Sequence, residues 1–147
     1  MPSSAAIMIS PAHRAELLHA ARQIAQHAYA PYSGFRIGAA LLLEGGVIVA
    51  AANVENASYG LSICAERAAV FSAIAQHGPK LRISAVAVTN LNDAPSSPCG
   101  ACRQVLSEFM PANGLILFPF DGKPPASIET RTLAELFPLG FDLTHGE

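Results

Sequence analysis

Apolar positions change their period several times along the chain, and each change marks an element. Leu17, Ala21, Ile24 and Ala28 recur at helical spacing, and Ser10-Pro11 ahead of them fits an N-cap followed by proline at the first helical position. This predicted helix stops before Pro31. From Phe35 to Leu43 the period falls to two, with Phe35, Ile37, Ala39, Leu41 and Leu43 on one face. The opposite face is also apolar late in the run, which predicts a strand covered on both sides. Gly45-Gly46 is a turn signal, and Val47 to Val54 reads as the returning strand of a hairpin. After the loop NASYGLS, Ser62 stands where it would cap a helix from about Ile63 to Gln76, which Gly78-Pro79 ends. The apolar run Ile83 to Asn90 predicts a buried strand, Pro98 opens a helix through about Phe109, and Leu115 to Phe118 is a further strand. Thr132-Leu133-Ala134-Glu135 has the form of a capping box for a short final helix, with room for one more strand before it.

An antiparallel hairpin followed by βαβ crossovers makes an α/β fold, a three-layer α/β/α sandwich around a mixed sheet of about five strands. A chain of 147 residues with no evident linker, repeat or low-complexity tract is expected to form a single domain over residues 1–147. Composition adds two exclusions and one pointer. The net charge of −2 and the scattered Lys and Arg give no basic stripe for a polynucleotide, so free small molecules are the expected partners. The first residues lack a charged segment followed by a long apolar one, and no run approaches the ~20 apolar residues that span a bilayer. A cytoplasmic protein with no membrane partner is expected. Hydrophobic residues make up 51% and charged residues 14%, more apolar surface than one small core hides, which points to oligomerisation.

Cysteine placement carries the chemistry. Three cysteines are an odd number in a chain too large to need disulfide staples, so metal binding or catalysis moves ahead of an exported disulfide framework. Cys99 and Cys102 lie three apart at the start of one predicted helix and Cys64 begins another. Strands running in one direction set their following helices side by side, so the three thiols can meet where two positive helix ends favour thiolate. A structural zinc site is closed by four protein ligands, whereas a catalytic one keeps a position for water. His13, His19, His27, His77 and His145 all lie outside the cysteine segments, and His77 falls ~18 Å along the helix that Cys64 starts. One open zinc site per chain is therefore the preferred reading, ahead of a closed structural site. A redox C-x-x-C explains neither Cys64 nor Glu66.

Glu66, two residues from Cys64, is placed to move protons to and from a water at that site. A first-turn glutamate also suits the helix dipole, and residues two apart on a regular helix do not share a face. Cys64 must then sit at or just before the first turn. Three thiolates leave the zinc centre with net negative charge, and Arg67 and Arg103 are the candidate donors of hydrogen bonds to sulfur.

CAERAAV, from Cys64, and PCGACRQV, from Pro98, resemble the zinc-dependent cytidine deaminase family in its three-cysteine form. YAPYSGFRIGAALL and NVENASYGLSICAERAAV extend the resemblance over roughly Tyr29 to Phe141, to the compact homotetrameric enzymes that act on free nucleosides. The resemblance implies zinc on Cys64, Cys99 and Cys102, and Glu66 as proton shuttle. It implies Asn53 and Glu55 on the ribose hydroxyls, Phe35 against the pyrimidine and the Ala65 backbone on the base. Tyr59 and Phe141 are then the aromatics that complete a neighbouring subunit's site. The implied reaction is hydrolysis of cytidine or 2′-deoxycytidine to the uridine nucleoside and ammonia. Blasticidin S deaminases carry a similar signature, but the NVENASYG segment favours ribose recognition; a zinc-stabilised scaffold without catalysis is the alternative from another class.

Overall fold

The computed structural model describes residues 5–143. A five-stranded mixed sheet in the order β2-β1-β3-β4-β5 forms its centre. The strands are β1 (Ile37–Leu43), β2 (Ile48–Ala52), β3 (Ile83–Asn90), β4 (Leu115–Pro119) and β5 (Ile128–Thr132). Helix α1 (Pro11–Ala25) precedes the sheet, α2 (Ala65–His77) follows β2, α3 (Gly100–Phe109) follows β3, and α4 (Leu133–Leu136) follows β5. The hairpin turns at Gly45 and Gly46, whose φ angles of 96° and 95° are open to glycine at no steric cost.

Both β2 and β3 run antiparallel to the β1 strand between them, and β3 pairs parallel with β4. These three strands therefore share a direction, so α2 and α3 begin at the same edge of the sheet. The expected run of adjacent crossovers is modified in one respect: β1 lies between β2 and β3, and only β3-α3-β4 joins neighbouring parallel strands.

Alternation along the strands builds a core on each face. Ala40, Leu42, Ala85, Ala87 and Leu117 meet Leu17 and Ala21 of α1, while Ala39, Leu41, Val86, Val88 and Ile116 meet Ala69, Val70 and Ala73 of α2 and Leu106 of α3. Helices on both faces give the three layers. The α1 layer is lined with small residues because the helix sits close: a Cβ on Gly38 would lie 1.9 Å from the Ala21 carbonyl oxygen. Fully buried leucines such as Leu17 and Leu106 each contribute about 1.5–3 kcal/mol.

Element ends differ from the sequence pattern by a residue or two, and two of these shifts matter. Ser62 is not the cap of α2. Its hydroxyl accepts the Asn56 N–H at 3.0 Å, a short 3-10 turn (Tyr59–Leu61) precedes it, and Cys64 takes the N-cap position. Pro98 likewise lies outside α3, whose N-cap is Cys99. By contrast α1 is capped by Ser10, whose hydroxyl accepts the His13 N–H at 3.0 Å, and α4 by the Thr132–Glu135 capping box.

Candidate active site

Two N-caps and one first turn bring the thiols together. Cys64 (φ −73°, ψ 152°) and Cys99 (φ −68°, ψ 167°) are extended residues at the starts of α2 and α3, and Cys102 is buried on the first turn of α3. The three Sγ atoms lie within 4.8 Å of one another, and Cys64 Sγ is 3.8 Å from Cys99 Sγ. Two sulfurs at ~2.3 Å from a tetrahedral zinc ion are ~3.8 Å apart, so this donor set fits the metal. Among the described residues it is the one group assembled to hold an ion, and no histidine joins it. His145 lies outside the described residues.

The extended conformation of Cys64 also answers the helical-face objection. Because the turn begins only at Ala65, Glu66 reaches the same cavity as Cys64 and Cys99, a hollow of about 320 Å³ whose other walls include Phe35, Val88 and Ser97. Glu66 is 4% exposed, and burial pushes its carboxyl above the ordinary value. Hydrogen bonding with Cys102 lowers the Cys64 thiol to about 5 against the effect of burial, with Arg67 and Cys99 helping. The same bond, with burial and the Glu66 carboxylate, holds Cys102 well above the usual thiol range.

Of the two arginines expected on sulfur, Arg67 donates from Nη2 to Cys64 Sγ at 3.4 Å. Arg103 corrects its expectation. Its Nε donates to the Pro98 carbonyl and its Nη1 to the Leu136 carbonyl, both at 2.7 Å, so it ties the α3 entry to the end of α4. A side chain leaving the fourth helical residue of α3 meets the Pro98 and Leu136 carbonyls before it meets a thiol.

An adjoining hollow of about 220 Å³ shares Phe35, Ile37 and Cys64 and adds Asn53 and Glu55. Asn53 donates to the Phe35 carbonyl and accepts the Ile37 N–H, both at 2.8 Å, and so fixes Phe35 in the wall. Glu55 accepts the Tyr32 and Ser33 N–H groups at 3.0 and 3.2 Å and the Ser33 hydroxyl at 2.5 Å. These bonds hold its carboxyl below the ordinary value, the Ser33 hydroxyl most of all. Ala65 is fully buried at the α2 entry. Tyr59 and Phe141 line neither hollow of their own chain. Tyr59 is 75% exposed and stacks edge-on against Tyr32 with centroids 6.1 Å apart, and the Phe141 backbone is clamped by the Gln104 amide at 2.8 and 3.0 Å.

Two contributors escaped the sequence reading. Asn90, at the end of β3, accepts the N–H groups of Asn92 and Ala94 and donates to the Ala94 carbonyl and the Ser96 hydroxyl, which shapes the loop leading to Cys99. Ser33 links Glu55 to the Phe35 N–H, which its hydroxyl accepts at 2.9 Å. Their signal was local: an asparagine or serine at a strand end or in the loop before one commonly bonds backbone two residues on.

Comparison with known proteins bears on this geometry. Residues 11–117 match the family model of the cytidine and deoxycytidylate deaminase zinc-binding region. The cytidine deaminase of Halalkalibacterium halodurans is 42% identical over 128 residues, 87% of this chain and 93% of that protein. A crystal structure of cytidine deaminase from Burkholderia pseudomallei superposes with a TM-score of 0.76 at 39% identity, covering 86% of this chain and 98% of that one. A Bacillus cereus blasticidin-S deaminase is 31% identical over 112 residues, 71% of this chain and 76% of its own length.

Proposed function

The chain belongs to the cytidine and deoxycytidylate deaminase zinc-binding family, and from that premise we propose that it hydrolyses the C4 amino group of free cytidine and 2′-deoxycytidine. The observation that carries the reading is a buried carboxylate, Glu66, sharing one cavity with thiols spaced for a zinc ion. Cys64, Cys99 and Cys102 would hold zinc, which supplies Lewis-acid activation of a water molecule at this site.

The residues of the chain then divide the work. Glu66, whose burial raises its proton affinity, takes a proton from the attacking water and delivers it to N3 of the ring as oxygen adds to C4. A second proton leaves through the same carboxylate to the amino group, and ammonia departs. Phe35, fixed by the Asn53 bridge, packs the base, and the Ala65 backbone meets its edge. Asn53 and Glu55, in the adjoining hollow, receive the ribose hydroxyls through the donor and acceptor positions their backbone bonds leave unused. Arg67 offsets charge at Cys64.

A homotetramer completes the proposal, with Tyr59 and Phe141 reaching a neighbour's site. Their exposure, with that of Leu61 at 73% and Phe71 at 50%, supports it. The proposed setting is pyrimidine salvage in the cytoplasm, a reducing compartment that three free cysteines fit, and no helix among the described residues is long and apolar enough to cross a membrane. The sugar hollow beside the thiols favours nucleosides over the blasticidin class. The test follows loss of cytosine absorbance with cytidine, deoxycytidine, cytosine and blasticidin S in the wild type and Glu66→Gln. Nucleoside turnover is expected to fall by roughly a hundred-fold or more in the variant with its zinc retained. Near wild-type turnover in the variant, or none on any substrate in the wild type, overturns the proposal.

A further inference from the structure

A third hollow, of about 390 Å³, lies on the opposite face of the sheet from the thiols, between α1 and the ends of β3 and β4. Adjacent residues of β3 face the two cavities: Val88 lines the thiol cavity, and Thr89, pointing the other way, lines this one. In open α/β sheets, ligands bind where parallel strands end, and β3 and β4 are the parallel pair here.

Three features distinguish this hollow from a packing gap. Thr89 is 7% exposed, and its hydroxyl oxygen is buried without a hydrogen-bond partner among the described residues. A buried hydroxyl is normally paired, and leaving one unpaired is costly. Arg22 reaches in from the last turn of α1, where a cation suits the helix dipole, yet among the described residues its guanidinium makes a single long bond, 3.4 Å to the Asn90 carbonyl. That contact places the cation beside the residue following Thr89. Neither the His19 nor the Asp93 side chain, both on the rim, has a partner among the described residues. The remaining wall is apolar, from Leu18, Pro119 and Ile128.

We propose that this hollow is a binding site for a small organic carboxylate, its anionic head on Arg22 and the Thr89 hydroxyl and its apolar body against Leu18 and Ile128. The cation and hydroxyl select an anion, and the apolar wall selects a hydrocarbon or aromatic body over a bare ion. Asp93 on the same rim repels further negative charge, so phosphates and nucleotides are disfavoured. The site is separate from the thiol cavity and independent of the proposed deaminase activity.

Isothermal titration of the zinc-loaded full chain with benzoate, with inorganic phosphate in parallel, tests the assignment. Benzoate is expected to bind saturably at one site per chain while phosphate does not, and Arg22→Gln and Thr89→Val are each expected to weaken benzoate roughly ten-fold or more. Thr89→Val removes a hydroxyl that lacks a partner, so the ligand-free variant is expected to melt no lower than the wild type. Absence of saturable benzoate binding, equal binding of phosphate, or full affinity in Arg22→Gln overturns the proposal. A clear loss of melting temperature in ligand-free Thr89→Val also overturns it, because the hydroxyl then serves the fold itself.

Discussion

Replacing Asn90 by alanine should unfasten the loop that delivers Cys99. Asn90 is 4% exposed, and its amide makes four bonds: it accepts at 3.0 Å from Asn92 and 3.1 Å from Ala94, and donates at 2.7 Å to Ala94 and 2.9 Å to Ser96. At ~0.5–1.5 kcal/mol net per bond the full set is worth ~2–6 kcal/mol. Asn92 is exposed, so water replaces part of the loss, which brings the expected cost to about 2–4 kcal/mol. That is a large fraction of the ~5–15 kcal/mol that holds a typical domain together. Ser96 keeps its backbone bond to the Pro119 carbonyl, so the loop is loosened and not released. The measurement is urea denaturation of the chelated protein, which separates the loop from metal linkage, followed by zinc affinity against a competing chelator. A loosened loop must be ordered again when Cys99 binds metal, and each 1.4 kcal/mol of that cost is about a ten-fold loss of affinity. Asn90→Asp keeps the accepted bonds but sets a buried carboxylate oxygen against the Ala94 carbonyl, so it should be no milder than alanine. A stability change below about 1 kcal/mol with unaltered zinc affinity would refute the reasoning, because bonds of this number and burial cannot be so cheap.

Gly38→Ala places a methyl group 1.9 Å from the Ala21 carbonyl oxygen and 2.8 Å from the Ala25 nitrogen, both backbone, and is expected to cost about 3 kcal/mol, the upper end of overpacking. A melting temperature equal to wild type would show that α1 does not sit where described. Chelation should lower the melting temperature of the wild type, since ligand at ~1,000 times its dissociation constant adds ~4 kcal/mol. Cys64→Ala, Cys99→Ala and Cys102→Ala should each lose most of that response, and an unresponsive wild type would exclude a folded-state metal. Glu55 should titrate below the ordinary 4.5 in a carboxyl-resolved NMR experiment. Its contribution to stability is complete above the unfolded-state value and is lost as pH falls through the lower native one. Ser33→Ala should return the titration toward 4.5, and identical curves for the two proteins would count against the Ser33 bond as its cause.

How far the chain could be read before folding depended on whether the deciding contact was local. The run Ile83 to Asn90 is apolar on both faces, and it forms the central strand over that same span. The meeting of the thiols was legible because it needs only that β2 and β3 run the same way, which an intervening antiparallel strand guarantees. What escaped was set by tertiary context. Strand β5, Ile-Glu-Thr-Arg-Thr, is half polar and only partly buried because it is an edge strand, and its pattern alone hardly separates it from loop. Ser62 has the composition of an N-cap but bonds to Asn56 across its own loop, leaving Cys64 to begin the helix. Arg103 was assigned by proximity in sequence, whereas the carbonyl of Leu136, far away in the chain, claims its guanidinium.

The caps of α2 and α3 carry a cost for the lineage that keeps them. Neither the Cys64 nor the Cys99 side chain accepts a backbone N–H of the helix it begins, although serine, aspartate or asparagine at such positions satisfies an orphan N–H and is worth ~0.5–2 kcal/mol. Selection for stability alone would replace both cysteines, and only the demand for a metal opposes it. Copies of this sequence released from that demand should therefore drift first at positions 64 and 99, becoming sturdier proteins as they stop being enzymes.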